Sequence, residues 1–166
     1  MNHFKEIDTP VGRLKLIATG IGLAAILWEH DKPGRVKIDW GDLDESDPVL
    51  IEAETQLAEY FAKKRTTFDL PLDFIGTDFQ RKVWAELLKI PFGETRTYGA
   101  IANELGDSNA VRAVGAANGK NPISIIAPCH RVIGASGKLT GFAGGLQNKD
   151  FLLRLERSGK TPTLWD

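Results

Sequence analysis

The chain has 166 residues, 42% hydrophobic and 26% charged, with a formal net charge of −1. These values are ordinary for a soluble globular protein and suit one compact domain or two small ones sharing a core. A single cysteine excludes an internal disulfide and any multi-cysteine metal cluster, and a lone thiol fits a reducing compartment. The N-terminal MNHFKEIDTP has no apolar core of a signal peptide. The longest apolar run, Leu16 to Trp28, is too short to span a membrane and is broken by Gly20 and Gly22. A cytoplasmic protein with no membrane partner is therefore expected. Charge is uneven along the chain. Residues 1–75 hold 9 Lys/Arg against 14 Asp/Glu, or −5, and residues 76–166 hold 12 against 8, or +4. A positive second half permits a polyanionic partner without requiring one.

In chain order, HFKEIDTP, GRLKLIATG and GLAAILWEH read as short strands in an antiparallel meander. Asp47-Pro48 then has the chemistry of an N-cap and first helical position, and Ile51, Ala53, Leu57, Tyr60 and Phe61 form the expected inner face of that helix. FDLPLDFIGT reads as a linker with a little extended structure, and the domain boundary is set near residue 75, giving domains 1–75 and 76–166. Thr77 and Gln80 have capping-box spacing, with Phe79, Val83, Trp84, Leu87 and Leu88 following at helical period until Pro91 and Gly93. Two short helices are expected over about 97–105 and 109–118, with Gly106 as the C-cap of the first and Asp107 or Ser108 as the N-cap of the second. Such a pair is the helix-turn-helix pattern, which also occurs in proteins that do not bind DNA. The tail SGKTPTLWD is expected to be mobile unless Trp165 docks.

The second helix of the pair has an unusual outer face. At 100° per residue, Val111, Val114 and Asn118 share the inner side, while Asn109, Arg112, Ala113 and Ala116 share the outer. An ordinary solvated face carries Lys, Glu and Gln. An alanine-rich helix packed on both sides is one explanation. The other is a helix pared down to enter a minor groove only about 6 Å wide, with Arg112 long enough to reach the base stack.

The lone cysteine lies in NPISIIAPCHRV. Asn121-Pro122 is a turn signal, ISIIA is predicted to be a short buried strand, and Pro128 breaks its ladder before Cys129. Most lone cysteines are small buried hydrophobes. Against that, Cys129 has His130 beside it, and Arg131 adds positive potential favouring a thiolate. In extended chain His130 would point away from the sulfur, so a water or a sharp turn would have to carry a proton between them. In NKDFLLRLERSG, Glu156 falls inside the apolar arc between Leu152 and Leu153. A buried carboxylate needs a partner. Either it pairs with a surface arginine, or it bonds His130 in a Cys–His–Glu relay.

These residues resemble a known family. NPISIIAPCHRVIG, preceded by AVRAVGAANGKNP and followed by TGFAGG and LLRLE, is similar to the O6-alkylguanine-DNA alkyltransferases of bacterial type, also called methylated-DNA–protein-cysteine methyltransferases. The likeness runs from about Phe79 to Glu156, and the N-terminal half matches in layout alone. It implies an α/β protein: a small N-terminal antiparallel sheet with a helix, then a mostly helical, winged-helix-like domain that binds DNA and holds the acceptor. It also implies a single-turnover transfer of an alkyl group from O6-alkylguanine in double-stranded DNA to Cys129, with no cofactor. His130 would activate the thiol through a water, Glu156 would orient His130, and Asn121 would order the active-site turn. Tyr98 would donate a hydrogen bond to the departing guanine. Arg112 would fill the gap left by the flipped nucleotide, in a minor-groove interface that includes Asn109, Ala113 and Ala116. Phe142, Ala143 and Gly144 would wall the base pocket.

Two departures bear on these expectations. Many relatives have tyrosine at the position of Phe142, so a hydroxyl is missing there. Some relatives bind zinc in the N-terminal domain, where this chain offers only His3 and His30, and no metal is expected. A monomer is expected, with cooperative assembly on DNA and activity on O4-alkylthymine left open. Salt dependence should be modest, with Arg96, Lys120 and Arg131 as candidate phosphate contacts. Two other classes stay open: a cysteine hydrolase or acyltransferase using the same relay, and a protein that binds alkylated DNA without repairing it.

Overall fold

The computed structural model describes residues 1–137, 139 and 141–158. The expected docking or mobility of the tail beyond Ser158 lies outside the described residues. The chain begins with three strands, β1 (His3–Thr9), β2 (Gly12–Ala18) and β3 (Leu23–Trp28), paired as an antiparallel meander. Gly12, at φ 97°, makes the β1–β2 turn with Thr9, whose hydroxyl bonds the Gly12 carbonyl at 2.6 Å. A two-residue strand, β4 (Asp42–Leu43), joins β1 in parallel, so the sheet order is β3-β2-β1-β4 and the sheet is mixed rather than purely antiparallel.

Helix α1 (Pro48–Phe61) covers one face of this sheet. Its cap is the expected one: the Asp47 carboxylate accepts from the amides of Val49 and Leu50 at 2.9 and 3.3 Å, and Pro48 fills the first turn. Leu50, Ala53, Leu57 and Tyr60 are buried against Leu14, Leu16 and Ile26. Ile51, expected on that inner face, is instead exposed, because Leu50 takes the core-facing position one residue earlier. The other sheet face buries Ile17, Ala25 and Leu27 beneath Phe4, Val36 and Ile38.

The second half is built from α2 (Asp78–Leu87), α3 (Tyr98–Glu104), α4 (Val111–Gly119) and α5 (Leu146–Ser158). The capping box of α2 is present, with the Gln80 amide donating to Thr77 Oγ1 at 3.1 Å and the Thr77 amide donating to Gln80 Oε1 at 2.9 Å. Val83, Trp84 and Leu87 point inward, while Phe79 and Leu88 at the ends of the helix are exposed. Thr97 caps α3, and Gly106 follows it at φ 83°. Helix α4 starts later than expected, with Ala110 as N-cap in place of Asp107 or Ser108. The Asp107 side chain is engaged one step upstream, accepting from the Asn109 amide at 3.0 Å. A short parallel pair, β5 (Arg96–Thr97) with β6 (Val132–Ile133), ties the start of α3 to the chain after the cysteine. Among the described residues no helix is long and apolar enough to cross a membrane.

The segment between α4 and β6 docks on the sheet edge. The Ile26 amide donates to the Pro122 carbonyl at 2.8 Å, and Ile26 bridges Ile123 in parallel. Ile123, Ile125 and Ile126 thereby enter the same core as the sheet and α1, while Ala127 and Cys129 enter the core of α2, α3 and α4. The predicted ISIIA strand does not form. Ile125 sits at φ 76°, reversing the chain between Ser124 and Ala127. A β-branched residue there costs on the order of 1–3 kcal/mol, and complete burial of its side chain offsets it.

Candidate active site

The reversed turn presents the cysteine, and one side chain holds it closed. Asn121 donates from Nδ2 to the Ala127 carbonyl at 2.8 Å and accepts the Ile123 amide on Oδ1 at 3.1 Å. A single 3₁₀ turn, Cys129–Arg131, follows Pro128. This is the sharp turn that the extended-chain geometry lacked, and it carries His130 and Arg131 inward together.

Cys129 is only 3% exposed. Burial pushes its thiol above the ordinary value. Opposing that rise are hydrogen bonds from the side chains of Asn121 and Ser124 and the positive charges of Arg35 and Lys149. The expectation that Arg131 primes the thiolate is therefore corrected. The Arg131 guanidinium is buried and committed elsewhere, with Nε to Glu156 Oε1 at 2.8 Å, Nη2 to Oε2 at 3.0 Å and Nη1 to the Ile90 carbonyl at 2.6 Å. The same burial removes it from the candidate phosphate contacts. Arg96 and Lys120 are exposed, Arg96 with Glu94 at 3.1 Å.

His130 and Glu156 meet as the apolar-arc geometry required. His130 Nε2 lies 2.7 Å from Glu156 Oε2, with both side chains buried. Although burial alone would raise the Glu156 carboxyl, the His130 and Arg131 contacts hold it well below the usual range. Burial lowers the imidazole, outweighing the pull of Glu156. An ionised carboxylate only accepts, so Nε2 must carry the proton and Nδ1 is the free lone pair. His130 Nδ1 makes no hydrogen bond among the described residues.

Sequence reasoning missed four contributors to this site. Ser124 is fully buried and accepts the Trp28 Nε1 proton at 3.1 Å. Arg35, paired to Asp31 at 2.6 Å, donates to the carbonyls of Gly119 and Asn121 at 3.1 and 2.9 Å. Lys149, two helical turns before Glu156, is fully buried and donates to the Val132 carbonyl at 2.8 Å. Tyr60 of α1 donates to Glu156 Oε2 at 2.6 Å. Only Lys149 had a signal in the sequence, since it lies on the α5 face that carries Glu156.

The other named residues pack on the core that holds the cysteine, line a cavity beside Trp28 or face solvent. Tyr98 and Phe142 are partly buried and pack on the core that contains Cys129. Phe142 stands edge-on to Trp28 at 5.4 Å, and a Cβ on Gly144 would lie 2.6 Å from the Trp28 ring. Ala143, part-buried, lies with Phe142 and Gly144 along a cavity of about 230 Å³ beside Trp28. On α4, Arg112, Ala113 and Ala116 are exposed, as is Asn109 before it, while Val114, Ala117 and Asn118 are buried. The helix is therefore not packed on both sides. Val111, expected inside, is 39% exposed at the first position of α4. The Arg112 guanidinium makes no ion pair or hydrogen bond among the described residues. One group of metal-ligand types, His3, Asp44 and Asp47, also comes together, but Asp47 caps α1 and binds His3 Nδ1 at 3.0 Å.

Comparison with known proteins extends this picture over the whole chain. Residues 3–74 match the ribonuclease-like domain of 6-O-methylguanine DNA methyltransferase, and residues 78–158 match its DNA binding domain. A methylated-DNA–protein-cysteine methyltransferase of Mycobacterium bovis is 51% identical over 161 residues, covering 95% of this chain and 94% of its own. One from Methanosarcina acetivorans is 47% identical over 157 residues, covering 94% and 99%. The crystal structure of Mycobacterium tuberculosis OGT in complex with DNA superposes with a TM-score of 0.87 at 47% identity, covering 96% of this chain and 95% of that one.

Proposed function

Because the chain belongs to the methylated-DNA–protein-cysteine methyltransferase family, we propose that it repairs O6-alkylguanine in duplex DNA by moving the alkyl group irreversibly onto Cys129. The observation that carries this reading is the buried His130–Glu156 pair at 2.7 Å, its Nδ1 unpartnered among the described residues, on the same 3₁₀ turn as the buried Cys129. Boundaries at residues 1–75 and 76–166 divide the chain into a supporting domain and one that binds DNA and accepts the alkyl group.

The chemistry follows from the protonation states. Cys129 rests as a thiol, because burial disfavours its anion. His130 Nδ1 takes the thiol proton, through one bridging water, as sulfur attacks. Glu156, already ionised, stabilises the imidazolium that forms on its other nitrogen. The S–C bond forms as the C–O6 bond breaks, and the electron pair stays on O6. The departing purine takes the Tyr98 phenolic proton on a ring nitrogen and leaves neutral, and the phenolate regains a proton from solvent, to which the His130 imidazolium returns the thiol's. Asn121 and Ser124 bond the sulfur while it carries charge. The resulting thioether has no group that water displaces, and the chain has no second thiol to remove the alkyl group. One turnover per molecule is the consequence.

The alkyl carbon is inside a duplex, so the nucleotide is flipped at a cost of a few kcal/mol. Helix α4 supports minor-groove entry, since its exposed residues are short apart from Val111 and Arg112, and Arg112 is free to occupy the vacated stack. Incubation with an O6-methylguanine duplex should add one CH₂ to the protein, on Cys129, in a burst that stops at one equivalent. Cys129→Ala should still bind that duplex and transfer nothing. Continued turnover would instead indicate a hydrolase or acyltransferase, and binding without any adduct on the unaltered protein would indicate a non-repairing reader.

A further inference from the structure

Glu156 belongs to the second half of the chain, yet one of its hydrogen bonds comes from the first. Its Oε2 takes three donors: Tyr60 Oη at 2.6 Å, His130 Nε2 at 2.7 Å and Arg131 Nη2 at 3.0 Å. Its Oε1 takes Arg131 Nε at 2.8 Å and the Gly93 amide at 3.3 Å. Tyr60 is fully buried and its ring is wedged among Phe61, Phe68 and Phe92, with centroids 5.3, 5.5 and 6.1 Å away. The hydroxyl therefore has a fixed direction, and it shares one oxygen with the imidazole. We propose that Tyr60 is a positioning residue of the alkyl-acceptor site: its hydroxyl fixes the Glu156 oxygen that orients His130, making the N-terminal domain a working part of the relay. This rests on the reading of Cys129, His130 and Glu156 as the reacting line.

The effect is electrostatic as well as geometric. A phenol is neutral, so it adds no charge, but its bond draws off carboxylate charge that His130 would otherwise feel. The other charged groups acting on the imidazole are Arg131 on its own turn and Lys149 and Glu156 on α5. Arg131 and Lys149 disfavour the imidazolium and Glu156 favours it. Without the Tyr60 hydroxyl the pull of Glu156 strengthens, so His130 holds its proton to higher pH and is a free base over a narrower range. Tyr60→Phe keeps the ring among its three aromatic neighbours and removes only the donor.

The test combines two readouts on the full chain. The first is the rate of Cys129 alkylation by an O6-methylguanine duplex from about pH 5.5 to 8.5, a window around the imidazole range. The second is the NMR titration of the His130 ring in the absence of DNA. Tyr60→Phe should move both the acid limb and the His130 titration upward by as much as about one unit. It should then cost up to about ten-fold more rate below that limb than at high pH. Should Tyr60→Phe not fold, uniform 3-fluorotyrosine, a stronger donor of nearly the same shape, should move the His130 titration downward. An equal loss at every pH with the His130 titration unmoved, or no shift with either change, overturns the proposal. If the titration shifts while the unaltered protein leaves the duplex unrepaired, the positioning stands and the assigned reaction fails.

Discussion

Cys129 is a thiol kept protonated at rest by burial, and the side chains around it decide how readily it ionises. Ser124 is the least expected of these. Its hydroxyl oxygen accepts from the Trp28 indole, which leaves its proton to be given to sulfur. Such a bond favours the thiolate, so Ser124→Ala should raise the thiol further and move the alkaline part of the alkylation profile upward. A neutral hydrogen bond is worth about 0.5–1.5 kcal/mol, which corresponds to a loss of up to about ten-fold at pH 7. Reaction of Cys129 with a small alkylating agent, followed against pH, measures this without DNA. An unmoved profile would remove Ser124 from the site.

Helix α4 is the element whose face most clearly departs from ordinary surface chemistry. Ala113 and Ala116 are exposed and make no packing demand on the core. Ala116→Leu should therefore leave stability within about 0.5 kcal/mol of the unaltered protein. The added bulk should weaken binding to an alkylated duplex by about ten-fold or more, about 1.4 kcal/mol, if α4 enters a groove about 6 Å wide. Thermal unfolding and duplex titration together check this. Equal affinity would move the DNA contact away from α4.

At the scale of the whole molecule, the two halves meet around the turn that carries Cys129 and around Glu156. The β3 edge carries the turn through Ile26 and Trp28, α1 reaches Glu156 through Tyr60, and Arg35 holds the carbonyls of Gly119 and Asn121. This buried network links stability to pH. The folded pKa of His130 lies below its unfolded value, so the unfolded chain binds more protons once pH falls below about 6.5. The contribution of His130 is full above that pH and is lost as pH falls towards the folded value. Glu156, also depressed, contributes fully above its ordinary carboxylate value and loses that contribution progressively as pH falls below it towards the folded value. The melting temperature should thus decline from pH 7.5 to 5, and more shallowly in a His130→Asn variant. A flat profile in the unaltered protein would contradict the buried neutral imidazole.

The sequence by itself determined the three-strand meander, the caps of α1 and α2, and the burial of Glu156. Caps such as Asp47-Pro48 and Thr77 with Gln80 act within one helical turn, and the placement of Glu156 between Leu152 and Leu153 follows from helical period alone. Its link to His130 was legible because a carboxylate on a buried stripe has few partners to choose from. Tertiary structure alone decided the rest. Ile125 in a left-handed conformation, the inward turn of Arg131 and the roles of Tyr60, Trp28 and Arg35 all depend on contacts across 25 to 96 residues of chain. Periodicity and local propensity carry no record of which distant surface a segment will meet, and here that surface is the edge of the N-terminal sheet.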